Sequence, residues 1–240
     1  MATFQRSFDL VTAFRSMSAL LANPDDTKHA FRLVQALSGT AGERMYERFR
    51  ETLVGRTVLA ERRSLLARLK DTAALEALPE GSLGRAYLQF LRSQQITADG
   101  LVAASEDGYA LDRDLDPERL LFSDRLRDMH DLWHVVAGYR GDLIGEAAVL
   151  ALSFAQTKNP GVGLIALMGF LKIGSVVPGA RAIIVGGLRR GRRAAWLPAV
   201  AWESMLARPL ADVRRELGLG DPPVYDPVYT MDARALGALA

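Results

Sequence analysis

The chain has 240 residues, enough to bury a substantial core in one large domain or two small ones. Apolar residues make up 49% of it, and the formal net charge of +2 is too small to predict a nucleic-acid partner. Because the sequence contains no cysteine, disulfides, zinc ribbons and iron–sulfur clusters are excluded. The longest apolar stretch ends at Lys172, short of the roughly 18 uncharged residues that a membrane-spanning helix needs.

The first part of the sequence predicts a series of short amphipathic helices. Apolar residues at helical spacing indicate an N-terminal helix within residues 1–24 and a second helix that ends before Gly39. Two further helices, over residues 43–53 and 57–69, are predicted to separate near Gly55.

The middle of the sequence predicts two more helices with a loop between them. Residues 78–91 read LPEGSLGRAYLQFL, in which a turn precedes Ser82, a candidate N-cap, and an apolar stripe predicts core packing. Residues 105–117 are acidic and irregular, which predicts a loop. A helix is then predicted to begin at Pro117 and to run into the sequence HDLWH.

Residues 127–146, RDMHDLWHVVAGYRGDLIGE, hold two of the chain's three histidines. His130 and His134 are one helical turn apart and therefore project from nearly the same face. Asp131 lies three residues before His134 and can share that face. This spacing predicts that the three side chains are grouped.

Glu146 can join this group only if the chain reverses direction. Along a straight helix, twelve residues at about 1.5 Å each would place it about 18 Å from His134. Gly138 and Gly141 can end the first helix, and Asp142 can cap a second one. A fold-back at this point would bring Glu146 to face the histidines.

Two imidazoles and two carboxylates, from His130, Asp131, His134 and Glu146, are the ligand set expected for a zinc-like divalent metal. The alternative is that both histidines are ordinary surface or core residues. The spacing differs from the metalloprotease pattern HExxH, because the acid here follows the first histidine directly. The spacing therefore predicts a metal site and leaves the reaction open.

The sequence after Glu146 is apolar and rich in glycine as far as residue 188. The pattern alone favours a buried helical hairpin, while the alternatives are a slot for a long apolar ligand and a surface that rests on lipid. The arginine cluster that follows could bind phospholipid headgroups or a pyrophosphate, or could be a solvated helix face. Its members are Arg189, Arg190, Arg192 and Arg193.

A final amphipathic helix is predicted over residues 202–217 and an irregular tail over residues 218–240. No stretch alternates with a period of two for long, so we expect little β structure. The sequence therefore predicts an all-α fold, a single-domain multi-helix bundle over residues 1–240, with no linker between domains.

The motif formed by HDLWH, eleven further residues and Glu146 resembles the coenzyme Q (ubiquinone) biosynthesis family marked by HDxxHx11E, the fourth member of the Coq series. Three other stretches agree in order: LPEGSLGRAYLQFL, the GE-containing helix with its downstream AQT, and GRRA followed by a helix ending in RRELGL. Together they cover most of residues 25–219. The family often has an ERP turn where this chain has Glu61-Arg62-Arg63, so the local turn is left open.

The resemblance implies an all-helical fold and a divalent metal bound by His130, Asp131, His134 and Glu146. Zinc is the leading candidate metal, and iron is the redox-active alternative. It further implies a polyprenylated aromatic lipid bound in an apolar groove between helices. Other enzymes of ubiquinone biosynthesis and a membrane surface are the implied partners, and the apolar surface also suggests self-association.

The activity that the resemblance implies is an oxidative decarboxylation, in which the C1 carboxyl of a 4-hydroxybenzoate-type ring is replaced by hydroxyl. Asp131 is then either a metal ligand or the catalytic proton acceptor. The alternative is a non-catalytic lipid-binding scaffold that organises the biosynthetic enzymes. A weaker third hypothesis is a hydrolase of prenyl phosphates that uses the arginine cluster.

The N-terminal sequence MATFQRSFDL has no uninterrupted apolar core, so we expect no secretory signal peptide. It also makes a weak transit peptide. We therefore expect a bacterial cytoplasmic protein, peripheral on the inner membrane, with the matrix side of the mitochondrial inner membrane as the alternative.

Overall fold

The computed structural model describes residues 7–23, 27–94 and 115–235, and within these ranges the chain forms fifteen α-helices and no strand. The predicted all-α class is confirmed. In chain order the helices, α1 to α15, are Leu10–Ala22, Thr27–Ala36, Ala41–Glu51, Leu53–Glu61, Leu65–Leu69, Thr72–Glu76, Leu83–Ser93, Pro117–Asp128, His130–Ala137, Leu143–Thr157, Pro160–Val176, Ala180–Arg193, Trp202–Met205, Leu210–Glu216 and Thr230–Ala235.

Helix α10 lies at the centre of the fold, packed against α11 and α12. Most of its residues are buried, including Ala147, Ala148 and Leu152. Helix α12 approaches it closely, since a Cβ added at Gly191 would lie 2.6 Å from the Leu152 carbonyl oxygen. The glycine-rich sequence thus forms the closely packed helices around α10, and α10 is the helix that carries Glu146.

The break between α3 and α4 lies at Thr52, so the predicted separation near Gly55 is wrong. Thr52 Oγ1 accepts a hydrogen bond from Gly55 N at 2.9 Å and donates one to Phe49 O at 2.7 Å. The Thr52 side chain thus bonds to the last turn of α3 and caps the first turn of α4, whereas Gly55 lies inside α4. The predicted helix 57–69 is also divided, because Arg62 adopts the left-handed conformation (φ 50°) and supplies the turn that the sequence had left open.

The predicted helix 202–217 is two helices, α13 and α14. The break falls before Pro209, which has no N–H to donate to a preceding turn and restricts the residue before it. The tail that we predicted to be irregular contains helix α15, and its Val228 is buried. Residues 236–240 lie outside the described part.

Two other predictions hold only in part: the N-terminal helix begins at Leu10, because residues 7–9 are not helical, and the helix predicted to run from Pro117 into HDLWH is divided at Met129 into α8 and α9. The predicted capping residues agree with the structure. Asp116 accepts hydrogen bonds from the amides that open α8, and Pro117 is the first residue of that helix. Gly39 has φ 50° after α2. Residues 105–114 of the predicted loop, and residues 1–6 and 24 of the N-terminal segment, lie outside the described ranges.

A buried ion pair joins α8 to α13. The Arg125 side chain is 1% exposed, and it donates to both carboxylate oxygens of Glu203, at 2.6 and 2.9 Å. A third hydrogen bond, 3.1 Å long, reaches Val200 O. Paired and hydrogen-bonded in this way, the guanidinium can remain charged inside the core.

Candidate metal centre

Helix α9 carries both motif histidines, and its end is shaped by the glycine that follows it. Gly138 adopts φ 72°, and its N–H donates to the carbonyls of His134 and Val135, which ends the helix as predicted. Asp142 then caps α10 by accepting a hydrogen bond from Ile144 N at 3.2 Å. The chain therefore reverses between α9 and α10, and Glu146 faces the histidines.

The ring of His134 is oriented by the backbone of this bend. Its Nδ1 lies 3.3 Å from Tyr139 O. A carbonyl oxygen can only accept, so Nδ1 carries a proton, and Nε2 is the nitrogen whose lone pair could bind a metal. This arrangement is the usual one for a metal-binding histidine, whose second nitrogen donates to a carbonyl or carboxylate.

Three potential ligand atoms converge on one point. The Nε2 atoms of His134 and His130 lie 3.3 and 3.6 Å from the two carboxylate oxygens of Glu146. One ligand atom from each of the three residues lies within 4.8 Å of the others. Nε2 of His134 is buried and makes no hydrogen bond within the described residues. A buried lone pair aimed at a second imidazole and a carboxylate fits a divalent cation.

The electrostatics of the three residues are coupled. Burial alone would raise the pKa of Glu146, but His134 and His130 hold that pKa well below its ordinary value. Burial lowers the pKa of His134, but Glu146, Asp131 and the Tyr139 carbonyl together raise it above its ordinary value. The carboxylate is therefore ionised at neutral pH and available to a cation.

The cluster is closed on one side and open on the other. His134 is fully buried, and the ring of Phe90 stacks on it with centroids 5.1 Å apart and planes at 26°. The side chains of His130 and Glu146 are 32% and 44% exposed. A metal bound by these three residues would be reached from the side of His130 and Glu146.

Asp131, the predicted fourth ligand, is not part of the three-residue cluster. It is 5% exposed, and its Oδ2 forms no hydrogen bond to any described residue. Burial raises its pKa, and the charge of Glu146 raises it further, while the two histidines oppose both effects. Asp131 thus lies near the centre, and its role as ligand or proton acceptor stays a prediction.

Two arginines hold the end of α9, a feature that the sequence analysis did not identify. Arg190 donates to Ala137 O at 2.7 Å, and Arg214 donates to Val136 O at 3.0 Å and to Val135 O at 2.9 Å. Cations suit the negative end of a helix dipole, but a local pattern cannot show which distant arginine supplies them. Arg190 belongs to the arginine cluster for which headgroup or pyrophosphate binding was one alternative, and in the structure it bonds to these backbone carbonyls.

The fold and the cluster define an all-helical protein with a candidate metal centre of two histidines and one glutamate. The sequence model of the family described as coenzyme Q (ubiquinone) biosynthesis protein Coq4 matches residues 2–223. The chain belongs to this family, as the resemblance predicted, and its function lies in ubiquinone biosynthesis.

Named relatives agree with the family. The chain is 31% identical over 225 residues to the mitochondrial ubiquinone biosynthesis protein COQ4 homolog of Danio rerio, with 89% of this chain and 77% of that protein covered. The corresponding protein of Homo sapiens is 30% identical over 200 residues, with 80% and 72% covered. A solved structure of a candidate ubiquinone biosynthesis protein from Nostoc punctiforme PCC 73102 aligns with a TM-score of 0.61 at 21% identity, over 90% of this chain and 100% of that one. That likeness concerns the fold.

Among the helices of the described ranges, none combines the length and apolar character needed to cross a membrane. The relatives from Danio rerio and Homo sapiens are named as mitochondrial proteins. The bacterial location stays a prediction.

Proposed function

We propose that this protein catalyses a metal-dependent oxidative decarboxylation in ubiquinone biosynthesis, in which the C1 carboxyl of a polyprenylated 4-hydroxybenzoate-type ring is replaced by oxygen. The observation that carries the proposal is the cluster of His130, His134 and Glu146, which is open to solvent on one side. Structural zinc sites are closed by four protein ligands, whereas catalytic sites keep a position for substrate. Three ligands and an open side favour catalysis over a scaffold.

The reaction balances with dioxygen as the oxidant. A 4-hydroxybenzoate-type ring and one dioxygen give the 1,4-quinone, carbon dioxide and water: the bond from C1 to the carboxyl carbon breaks, one oxygen atom becomes the C1 oxygen, and the other leaves as water. The ring supplies the electrons. If a two-electron donor is present, the product is the hydroquinone instead.

The chain's own residues have distinct tasks in this proposal. His130, His134 and Glu146 would hold the metal, which acts as a Lewis acid toward the phenol or carboxylate oxygens. Asp131 would accept the phenolic proton, because it is buried beside the centre with an oxygen that has no partner among the described residues. Phe90 would exclude water from the inner side of His134.

The ligand set fits two metals with different chemistry. Two histidines and a glutamate bind zinc in several hydrolases, and the same set with open positions is typical of non-haem iron oxygenases. Zinc has no redox chemistry, so a zinc centre would leave the oxygen step to direct reaction of the electron-rich ring. Iron-loaded and zinc-loaded protein must therefore be assayed separately.

Action at a membrane surface is supported by exposed apolar side chains on α1 and α11 and by a stretch of sequence whose only charged residues are cations. On α1, Leu10 and Phe14 are 69% and 66% exposed, and on α11, Leu171 is 54% exposed. Residues 147–202 contain no acidic residue. The cations in that range are Lys158, Lys172, Arg181, Arg189, Arg190, Arg192 and Arg193, and of these Arg190 is already bonded to backbone carbonyls. An apolar patch with positive charge suits an anionic lipid surface.

The membrane proposal is tested with vesicles of neutral lipid and with vesicles that contain anionic lipid. Phe14→Glu combined with Leu171→Glu should reduce binding to anionic vesicles several-fold. Leu53→Glu is the control, because Leu53 is 73% exposed and lies on α4, which is not one of the two helices of the proposed surface. Equal loss in the control and the double variant would contradict the assigned surface.

The catalytic proposal is tested with purified protein loaded with iron or with zinc, and a prenylated substrate labelled at the carboxyl carbon. We expect release of labelled carbon dioxide and incorporation of one atom from labelled dioxygen at C1. His130→Ala with Glu146→Ala should remain folded and lose turnover. If the wild-type protein is natively folded and releases no carbon dioxide with either metal, the enzyme proposal is wrong. Loss of fold or partner binding in the variant would instead support the scaffold.

A further inference from the structure

The carboxyl-terminal segment 219–228 lies along the bend that joins the two ligand-bearing helices. This bend, residues 138–142, determines how far Glu146 on α10 stands from His130 and His134 on α9. No sequence pattern connects the tail with the site, because about eighty residues separate them.

Tyr225 joins Arg140 and Asp142, two residues of the bend. Its hydroxyl donates to Asp142 Oδ1 at 2.8 Å and accepts from Arg140 N at 2.9 Å. Asp142 is 1% exposed, so this carboxylate depends on protein partners rather than on water. One phenol thus fixes the backbone of the bend and the cap of α10 at once.

Val228 adds a second attachment three residues further along. Val228 N donates to Asp142 Oδ2 at 3.0 Å, and Val228 O accepts from Leu143 N at 2.9 Å. The same Asp142 oxygen caps α10 through Ile144 N. The first turn of α10 is therefore bonded to the tail by two backbone groups.

The start of the segment is bonded to the other ligand-bearing helix. Arg190 donates to Leu219 O at 2.8 Å and to Ala137 O at 2.7 Å, and so joins the tail to the last residue of α9. Pro222 lies against Gly138, where an added Cβ would overlap the proline ring. The segment thus contacts both sides of the bend.

Close packing extends to the residue beside the ligand. A Cβ added at Gly145 would lie 2.6 Å from the Tyr225 hydroxyl. The next residue is Glu146, and the tail touches none of the three candidate ligands through any hydrogen bond between described residues. Any effect of Tyr225 on the centre must therefore act through the position of α10.

We infer that residues 219–228 form a clasp that fixes α10 relative to α9, and that Tyr225 is a positioning residue for Glu146. This inference rests on the proposed metal centre. Groups that hold metal ligands in place typically contribute 10- to 100-fold to affinity. Because Tyr225 acts one step further away, we expect the lower end of that range.

The test compares Tyr225→Phe with Tyr229→Phe, in the full chain. Tyr229 is on the same tail and 49% exposed, so its hydroxyl is the matched control. Cobalt(II) titration gives the affinity, and the visible absorption of bound cobalt reports ligand geometry. We expect Tyr225→Phe to bind cobalt about tenfold more weakly with a changed spectrum, and Tyr229→Phe to match the wild type. A purely global loss of stability would leave the spectrum of the bound ion unchanged.

Hydrogen exchange in the metal-free protein tests the clasp without the metal. Amides of residues 140–146 should exchange faster in Tyr225→Phe than in Tyr229→Phe. If the wild-type protein binds no cobalt, zinc or iron, the metal centre is wrong and the exchange result alone decides the clasp. Equal exchange in both variants, or equal affinity and spectrum, overturns the inference. Asp142→Asn, which weakens the acceptor of the Tyr225 hydroxyl, should reproduce the effect and serves if Tyr225→Phe does not fold.

Discussion

The distinction between ligand and proton acceptor at Asp131 can be measured with two isosteric substitutions. Glu146→Gln removes the only carboxylate of the three-residue cluster, whereas Asp131→Asn changes a carboxylate outside it. The metal should therefore be lost in the first variant and retained in the second. Asp131 Oδ2 has no hydrogen-bond partner among the described residues, so an amide at this position breaks no contact that orients a ligand.

The expected magnitudes differ widely. Residues that only support metal ligands contribute about 10- to 100-fold to metal affinity. Loss of one ligand from a set of three should therefore lower the affinity at least about 1,000-fold, or about 4 kcal/mol. The metal affinity of Asp131→Asn should stay within about tenfold of the wild type, or about 1.4 kcal/mol. Its turnover should fall by about 100-fold or more if Asp131 accepts the proton. The amide has the same shape as the carboxyl and leaves no described hydrogen bond of Oδ2 broken, so it should not destabilise the fold.

Metal content by elemental analysis and competition with a chromophoric chelator would give both affinities. Asp128→Asn is the matched control, because Asp128 is also 5% exposed and lies just before α9, where Arg127 pairs with it at 2.9 Å. If Asp131→Asn loses the metal as completely as Glu146→Gln, Asp131 is a fourth ligand and the three-ligand centre is wrong.

Three stability predictions follow from contacts around the site, each measured by urea unfolding. Arg190→Ala leaves backbone carbonyls without donors and should lower the free energy of unfolding by about 2 kcal/mol, whereas exposed Arg189→Ala should change it by less than about 0.5 kcal/mol. Glu203→Gln removes the charge partner of a buried guanidinium and should cost about 2 kcal/mol, less than a wholly buried pair because Glu203 is 16% exposed. In Gly145→Ala the new methyl group would overlap the carbonyl oxygen of Arg140, so the free energy of unfolding should fall by more than about 2 kcal/mol and metal affinity should be lost. Gly186→Ala is the control, because the nearest atom to an added Cβ is 3.9 Å away, and it should be neutral or stabilising.

The local part of the site could be predicted because it follows from helix geometry. The spacing of His130 and His134 fixes their common face, and Gly138 and Asp142 carry the backbone and capping preferences of a helix end and a helix start. These rules act over a few residues. They were sufficient to predict that the chain reverses and brings Glu146 to the histidines.

The partners of the site could not be predicted from the sequence because they come from distant segments. Arg190, Arg214 and Tyr225 each bond to backbone or side-chain groups more than fifty residues away. Their own surroundings in the sequence indicate a basic cluster, a helix face and an irregular tail. Only the packing of α12, α14 and the tail around the bend gives them these contacts.

The helix boundaries were mispredicted where neighbouring residues have competing local preferences. Gly55 was expected to break a helix, but the Thr52 side chain satisfies the first amides of α4, and the glycine is used for close approach to Phe49 O. A glycine in a sequence marks either a turn or a close contact, and the two cannot be separated before the packing is known.

The number of protein ligands determines how a substrate could reach the metal. With four ligands, a four-coordinate ion would have to release one or expand its coordination before it bound a substrate oxygen. If only His130, His134 and Glu146 held a metal, a substrate could reach it from the side where His130 and Glu146 are exposed, because Phe90 covers His134. An aromatic head group would then enter from that side, while Asp131 stays buried with an Oδ2 that has no partner in the described chain. Whether Asp131 accepts a proton or serves as a fourth ligand stays a prediction, and the comparison of Asp131→Asn with Glu146→Gln distinguishes the two roles.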